Sequence, residues 1–419
     1  ARTLDNPRGS IRSTLNSFTS SLDPIKEPGK NQTGAIILAL ILLTGSVLLW
    51  DVTHQKISID EAESPTSASG SGEWLIWIED SGQEISITAT NVISKTNRTL
   101  GGMTWESQPQ VVSSGNSFVV YDEFRVDYFR HDSEAGILEP IFSEYSAESL
   151  IDISISSSSI NTGYIAMLSN ESLRIVDTSD QSTRILESVP NSSVVASSGP
   201  LVAFSANTPS GPTVNITSAD SDLTLTILLD PRSSEGIEES IRNSGTLLDF
   251  GNSTIVELVM DSNWLVATVD VGPFNRTIMV DTSSINQTLI SNPRWDSSSP
   301  SIGEGKVAFL QVTRDSIIST SQDSLRNNDV YVYYIESAET RQHTFDDDVD
   351  QFQPQILQDR LAWIEVNDQG EKQLLVYSFI DTIEPRNSLL LQASILAMIP
   401  LIFLWTLQSY GAEIVTQRV

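Results

Sequence analysis

A short apolar burst recurs seven times along the middle of this 419-residue chain, and this repeat is its strongest constraint. The copies begin at Trp74, Phe118, Gly163, Pro200, Asn263, Lys306 and Arg360. In most copies a segment with Pro or Ser before Ile or Val precedes the burst, an alternating segment follows it, and a shorter segment often ends the unit. Period-two alternation bounded by Gly, Asn, Asp and Ser is typical of half-buried strands. The repeat therefore predicts about four strands per unit.

Units of this kind indicate a β-propeller, in which each blade is a small antiparallel sheet packed between its neighbours. The sequence predicts an all-β, seven-bladed propeller over residues 73–383, with six or eight blades as variants. A solenoid or a stacked sandwich is the alternative. The longest gap between bursts contains "DPRSSEGIEESIRNSGTLLDF". This segment is either an insertion loop or a further blade.

One unit also resembles a known family. Residues 327–366 read "NNDVYVYYIESAETRQHTFDDDVDQFQPQILQDRLAWIEV". The order of an Asn-Asp-x-Tyr-Val-Tyr strand, a Thr/Arg strand, a Gln-x-x-Pro-x-Ile strand and an Arg-x-x-Trp strand is similar to the repeat of TolB-like cell-surface β-propellers. The resemblance is looser over residues 73–324. It implies a fold, and propellers with this fold serve unrelated functions.

The two ends of the repeat indicate how the propeller closes. The last unit has no fourth strand, and the first unit has no recognisable inner Pro-x-Ile strand. Propellers commonly combine both chain ends in one blade, which pairs otherwise open sheet edges. We therefore expect residues 56–60, "KISID", to pair with the last blade, within a linker that covers residues 51–72.

Two apolar segments flank the repeat and predict transmembrane helices over residues 31–50 and 387–410. Twenty uncharged residues rise about 30 Å as a helix, which matches the hydrocarbon core of a bilayer. The first segment follows a long polar leader, so an uncleaved signal-anchor is expected. The leader carries five basic residues: Arg2, Arg8, Arg12, Lys26 and Lys30. Because basic flanks stay cytoplasmic, we expect residues 1–30 and 411–419 inside and the propeller outside the cytoplasm.

Composition excludes several functions. The chain has 54 acidic and 24 basic residues, a formal net charge of −30, no cysteine and three histidines. This charge repels nucleic acid, and the lack of cysteine excludes disulfides and thiol chemistry. No phosphate-binding loop is present, because "GEGK" at Gly303 has the features of a hairpin turn. The sequence therefore predicts no catalytic and no cofactor-binding residues.

Three groups of residues are candidate sites. The acidic run Asp346, Asp347, Asp348 and Asp350 offers carboxylates to Ca²⁺, although a solvated turn is the alternative. Glycosylation sequons begin at Asn97, Asn170, Asn191, Asn215, Asn252, Asn275 and Asn286. The aromatic residues Trp105, Trp295, Tyr128 and Phe129 belong either to a binding face or to blade packing.

These features predict a membrane-anchored, extracytoplasmic β-propeller that binds proteins or glycans without catalysis, as a scaffold or accessory subunit of a cell-surface complex. The alternative is a hydrolase of glycans or peptides that uses Asp and Glu. A pair of central carboxylates with raised pKa values would favour the hydrolase. A third hypothesis is a structural subunit of a membrane complex, in which the spans contact other subunits.

Overall fold

The computed structural model describes residues 56–58 and 65–379, apart from residues 81–83, 95, 106, 131–139, 147–148, 160–161, 171, 188, 190, 313–326, 345–348 and 368. The described residues form seven four-stranded antiparallel sheets. The first strands of consecutive sheets contact one another in a closed ring. The chain is thus a seven-bladed β-propeller, as the sequence predicts.

Blades 1 to 3 use consecutive strands. Their strands are β2 (Pro65–Ser71), β3 (Trp74–Asp80), β4 (Ile85–Asn91) and β5 (Thr96–Met103); β6 (Gln110–Ser114), β7 (Ser117–Tyr121), β8 (Arg125–Arg130) and β9 (Pro140–Tyr145); and β10 (Leu150–Ser159), β11 (Thr162–Ser169), β12 (Ser172–Asp177) and β13 (Thr183–Glu187). The innermost strand of each blade is the first in sequence.

Blades 4 to 6 follow the same order. Their strands are β14 (Val195–Ser198), β15 (Leu201–Thr208), β16 (Gly211–Ser218) and β17 (Ser221–Leu228); β18 (Thr254–Asp261), β19 (Trp264–Asp270), β20 (Asn275–Asp281) and β21 (Asn286–Leu289); and β22 (Ser297–Gly303), β23 (Lys306–Val312), β24 (Asn328–Tyr334) and β25 (Glu339–Gln342). The "GEGK" segment is the tight turn between β22 and β23, where Glu304 and Gly305 both have positive φ, at 49° and 70°.

Blade 7 combines both ends of the repeat. It contains β26 (Val349–Leu357), β27 (Arg360–Asn367), β28 (Lys372–Ser378) and, as its outermost strand, β1 (Lys56–Ser58). Strand β1 pairs antiparallel with β28, with Ile57 opposite Val376. The pairing expected from the sequence for residues 56–60 is therefore present over its first three residues.

The inner strand of blade 1 corrects the sequence-based boundaries. The sequence predicts a linker over residues 51–72 and no inner strand in the first unit, but β2 is that inner strand. Its sequence, "PTSASGS", is rich in small residues and lacks the Pro-x-Ile pattern. A Cβ on Gly70 would lie 2.5 Å from Leu357 Cδ2 of blade 7.

All seven apolar bursts are second strands of blades, from β3 to β27. Such a strand has paired neighbours on both edges and a further blade against each face, so both of its faces must be apolar. Leu75, Trp77, Val119, Val266 and Phe309 accordingly have no accessible surface. The apolar clusters each join residues from neighbouring blades, and this packing supplies the core.

Polar side chains join each blade to the next around the ring. On β2, the hydroxyl oxygens of Ser67, Ser69 and Ser71 accept the N–H groups of Val111, Ser113 and Gly115 in blade 2 at 3.3, 2.9 and 2.8 Å. The other acceptors are Ser114, Asp152, Ser198, Glu257, Ser301, Gln353 and Gln355. Together they cover all seven blade interfaces. Successive serines along β2 accept from successive positions along β6, so these two inner strands run in the same direction.

The segment between blades 4 and 5 is an insertion rather than a further blade. It contains one short helix, α1 (Glu235–Asn243), with acidic residues in its first turn and Arg242 in its last. This charge order complements the helix dipole.

No helix among the described residues is long and apolar enough to cross a membrane. Both predicted spans and both predicted cytoplasmic tails lie outside the described residues. The membrane topology therefore stays a prediction from the sequence.

Candidate functional site

One face of the propeller collects the connections between blades. Each connection runs from the outermost strand of one blade to the innermost strand of the next, so all of them emerge at the same end of the ring. We call this the connection face. It carries the insertion with α1 and residues 290–296, which lead from blade 5 to blade 6. The inner strands also begin here.

A cleft of about 590 Å³ opens on the connection face between blades 5 and 6. Its lining includes Ile237 of α1, Ile290, Pro293 and Trp295 of the connection, and Gln311 and Tyr331 of blade 6. The walls thus come from two connections, while the paired strands β23 and β24 contribute the floor.

Arg276 holds both connections in place. Its side chain has no accessible surface, although it carries a charge and lies in the largely buried strand β20. Its Nη1 donates to the carbonyl of Pro231 and to Oε1 of Glu238, and its Nη2 donates to the carbonyl of Pro293, all at 2.8 Å. Burial acts to raise the pKa of Glu238, but hydrogen bonds from Arg276 and Ser233 outweigh it and lower this pKa. The carboxylate therefore remains charged opposite the guanidinium.

The cleft floor combines an aromatic surface with a free donor. The rings of Trp295 and Tyr331 meet edge to face, with centroids 6.1 Å apart. Burial, followed by the charge of Asp329, raises the pKa of Tyr331, so its phenol stays neutral. Gln311 is 2 % exposed, and its Nε2 has no hydrogen-bond partner among the described residues. Such buried donors are uncommon in native proteins.

Two inner-strand carboxylates near the connection face have raised pKa values. Burial raises the pKa of Asp152 to about 7, although its Oδ2 accepts the Val195 N–H at 2.8 Å and its Oδ1 the Ile153 N–H at 2.9 Å. Burial also raises the pKa of Glu257, although its Oε2 accepts the Ser299 N–H at 2.8 Å. Both residues lie in the first half of their strands, β10 and β18.

These two carboxylates also join blades. Each accepts a backbone N–H of the following blade, from Val195 for Asp152 and from Ser299 for Glu257. A raised pKa is a feature of catalytic acids, but burial at a blade interface produces it as well. Asp152 and Glu257 therefore match the feature that favours a hydrolase and also have a structural role.

The acidic run is only partly described. Asp346, Asp347 and Asp348 lie outside the described residues, and Oδ1 of Asp350 accepts the Asn328 N–H at 3.0 Å. Within the described ranges, no group of three or more acidic or histidine side chains could hold a metal ion. Calcium binding by the run stays a prediction.

The sequon asparagines differ in exposure. Five are exposed, and Asn215 and Asn275 are half-buried. The exposed ones are Asn97, Asn170, Asn191, Asn252 and Asn286. The side-chain oxygen of Asn215 also accepts the Thr226 hydroxyl at 2.8 Å. Glycosylation stays a prediction, and an attached glycan would need the exposed positions.

The aromatic candidates divide into core and surface. Tyr128 and Phe129 are buried, and Phe129 stacks on Phe118 with centroids 4.8 Å apart, so these two belong to blade packing. Trp105 and Trp295 are half-buried on connections between blades. The Arg125 guanidinium lies 4.5 Å from the centroid of the Trp105 ring.

Sequence reasoning identifies Trp295 but not Gln311 or Arg276. A weak signal exists for Gln311, because it interrupts the apolar run of "KVAFLQV", whereas Arg276 stands between two polar residues in "NRTIMVD". A buried strand position favours apolar residues, so a polar residue there needs a partner or a function.

Fold and cleft together define a β-propeller with a ligand-sized cleft on its connection face. No family model matches the chain, and no curated protein matches it. Similar solved structures are propellers. The chain is 13 % identical to the β-propeller domain of Myceliophteria thermophila Cps50 (Swd1), with a TM-score of 0.50, covering 78 % of this chain and 99 % of that one.

Two peptidases are also similar in structure. Pyrococcus horikoshii acylaminoacyl peptidase is 9 % identical, with a TM-score of 0.51 over 75 % of this chain and 51 % of the peptidase. The tricorn protease is 16 % identical, with a TM-score of 0.39 over 72 % of this chain and 28 % of the protease. The chain thus spans a minor part of one peptidase and about half of the other. At these identities the similarity shows the fold alone.

The substitution Asp152→Asn tests the raised pKa of this half-buried carboxyl. Asn keeps an acceptor for the Val195 N–H but carries no charge. The pKa of Asp152 is higher in the folded chain than its ordinary 3.8, so wild-type stability from this group is lost as pH rises from about 4 to about 7. We expect the variant to be more stable at pH 8 by roughly 2–4 kcal/mol and equally stable below pH 4, measured by urea unfolding.

The matched control is Asp281→Asn. Hydrogen bonds from Ser283 and Ser284 lower the pKa of Asp281, so its removal should give no gain at pH 8. Equal pH profiles for wild type and Asp152→Asn would contradict the raised pKa of this carboxyl.

The substitution Arg276→Met tests what holds the cleft walls. Because Met leaves Glu238 charged and partly buried without its partner, we expect a loss of about 3–5 kcal/mol in unfolding free energy. Proteases should also cut residues 230–253 faster. Arg232→Met is the control, since its ion pair with Asp230 is more than half exposed and is worth under about 1 kcal/mol. Similar losses for both variants would contradict the proposed role of Arg276.

Proposed function

We propose that this protein is a non-catalytic binding propeller, held at the outer surface of a membrane by the two predicted spans, that serves as a scaffold or accessory subunit. The observation that carries this proposal is the cleft on the connection face, with a buried donor at its floor. Propellers present a rigid frame with variable connections, which suits ligand binding.

The chemistry of the cleft supports binding over catalysis. No carboxylate or imidazole belongs to its lining among the described residues. A hydrolytic reaction needs a general base or a nucleophile within hydrogen-bond reach of the substrate. The aromatic rings and the amide can hold a ligand, but they cannot activate water.

A hydrolase is the second candidate, and Asp152 and Glu257 favour it. A carboxyl with a pKa of about 7 can donate or accept a proton near neutral pH. In that function the substrate would enter the ring at the connection face and contact both carboxyls. The hydrogen bonds that both groups make to the next blade support the binding function instead.

The membrane location rests on the sequence. The spans over residues 31–50 and 387–410 flank the propeller, and basic residues concentrate before the first span. Partners at the cell surface, proteins or glycans, then have access to the connection face.

The absence of cysteine allows a direct test of topology. We expect a membrane-impermeant maleimide to label Ser179→Cys, in an exposed turn after β12, in intact cells. The matched variant Ser10→Cys, in the predicted cytoplasmic tail, should react only after permeabilisation. Labelling of the tail but not of the propeller in intact cells would reverse the proposed topology.

Binding without turnover is the second expected outcome. Purified full-length chain is incubated with libraries of oligosaccharides and of peptides, and the bound and free fractions are analysed by mass spectrometry. We expect bound ligands to be recovered intact. Cleavage products that disappear with Asp152→Asn or Glu257→Gln would establish the hydrolase and contradict the binding function.

A further inference from the structure

We propose that the cleft between blades 5 and 6 binds a neutral saccharide, with Gln311 Nε2 donating a hydrogen bond to a sugar oxygen and Trp295 packing against the sugar ring. This inference rests on the proposed binding function and names its ligand class. Four features of the cleft support it.

The first feature is the free donor. Gln311 is almost fully buried, and its amide nitrogen has no partner among the described residues. A buried donor without an acceptor destabilises the fold, and an apolar residue of similar size would fit this strand better. A ligand acceptor at the cleft floor gives the amide its function.

The second feature is the aromatic and apolar surface beside this donor. Trp295, Tyr331, Ile290 and Pro293 line the same cleft. Sugar rings have an apolar face of C–H groups and a rim of hydroxyl oxygens. An aromatic ring next to an amide complements both parts of such a ring.

The third feature is charge. Arg294 is the one charged residue in the lining that the structure describes, whereas Glu238, Asp296 and Asp329 are neighbours of lining residues. Arg276 is already paired with Glu238. The whole chain carries a net charge of −30. The net charge of the chain opposes anionic ligands and Arg294 opposes cationic ones, so an uncharged ligand is favoured.

The fourth feature weighs against an extended peptide. Peptides commonly bind by adding a strand to an open sheet edge. Gln311 and Tyr331 lie in β23 and β24, and both strands are paired on each side within blade 6. The cleft floor thus offers side chains but no unpaired strand edge.

The test uses Gln311→Leu in the full-length chain. Because Leu removes the unpartnered donor at nearly constant volume, we expect the melting temperature to rise by about 2 °C or more. Affinity for the saccharide should fall at least about tenfold. A gain in stability combined with a loss of binding separates a ligand contact from a folding defect. Gln311→Met, which also lacks the donor, is a second variant if the branched Leu side chain disturbs packing.

Gln351→Leu is the matched control. Gln351 is equally buried, but its Oε1 accepts from Thr344 and its Nε2 donates to the Val349 carbonyl. We expect this variant to lose stability and to bind the saccharide as the wild type does. A stability loss for Gln311→Leu equal to that of Gln351→Leu would overturn the assignment of Gln311 as a ligand donor.

The probes are neutral cello-, malto-, chito- and manno-oligosaccharides, with sulfated forms of the same chains and uncharged peptides of similar size. Saturation-transfer NMR should detect at least one neutral series, with weaker binding of its sulfated form and loss of the signal with Gln311→Leu. Binding of peptides alone, sensitive to Gln311→Leu, would overturn the saccharide assignment and leave the binding function standing. Saccharide binding that Gln311→Leu and Gln311→Met leave unchanged would overturn the site.

Discussion

The hydrogen bonds that run from the inner strand of one blade to the next hold this propeller together as a ring. An inner strand is a sheet edge, so half of its backbone N–H groups have no partner within its own blade. Here side chains of the preceding blade accept one to three backbone N–H groups at each of the seven interfaces. Ser69 and Ser113 show the arrangement, since the Ser113 N–H and hydroxyl both lie 2.9 Å from the Ser69 hydroxyl.

This arrangement explains where polar residues occur in the repeat. Inner strands need short acceptors that reach across a narrow gap, and serine meets that need in blades 1, 2, 4 and 6. Longer acceptors bridge the remaining interfaces, as Glu257 and Gln353 do. The last interface closes the ring, because Gln353 and Gln355 of blade 7 accept the N–H groups of Ala68 and Gly70 in blade 1.

The two kinds of strand differ in how well sequence predicts them. Second strands are apolar on both faces, so the bursts identify all seven blades. The side chains of inner strands make their hydrogen bonds to another blade, so the sequence of one inner strand does not identify it. In β2, for example, the sequence does not show that Gly70 packs against Leu357 of blade 7. The same limit applies to the cleft. Trp295 is conspicuous in sequence, whereas the importance of Arg276 and Gln311 depends on burial and on connections that are distant along the chain.

Asp152 and Gln311, two polar residues near the connection face, have different explanations. Asp152 has a raised pKa, but both of its oxygens accept backbone N–H groups, so its place at a blade interface accounts for it without a substrate. Gln311 has no such account. Its Nε2 makes no hydrogen bond among the described residues, so a Leu side chain in its place would lose none from this atom. A buried donor that the described fold leaves unpaired is best explained by a ligand, which is why the cleft, rather than the inner-strand carboxylates, carries the functional proposal.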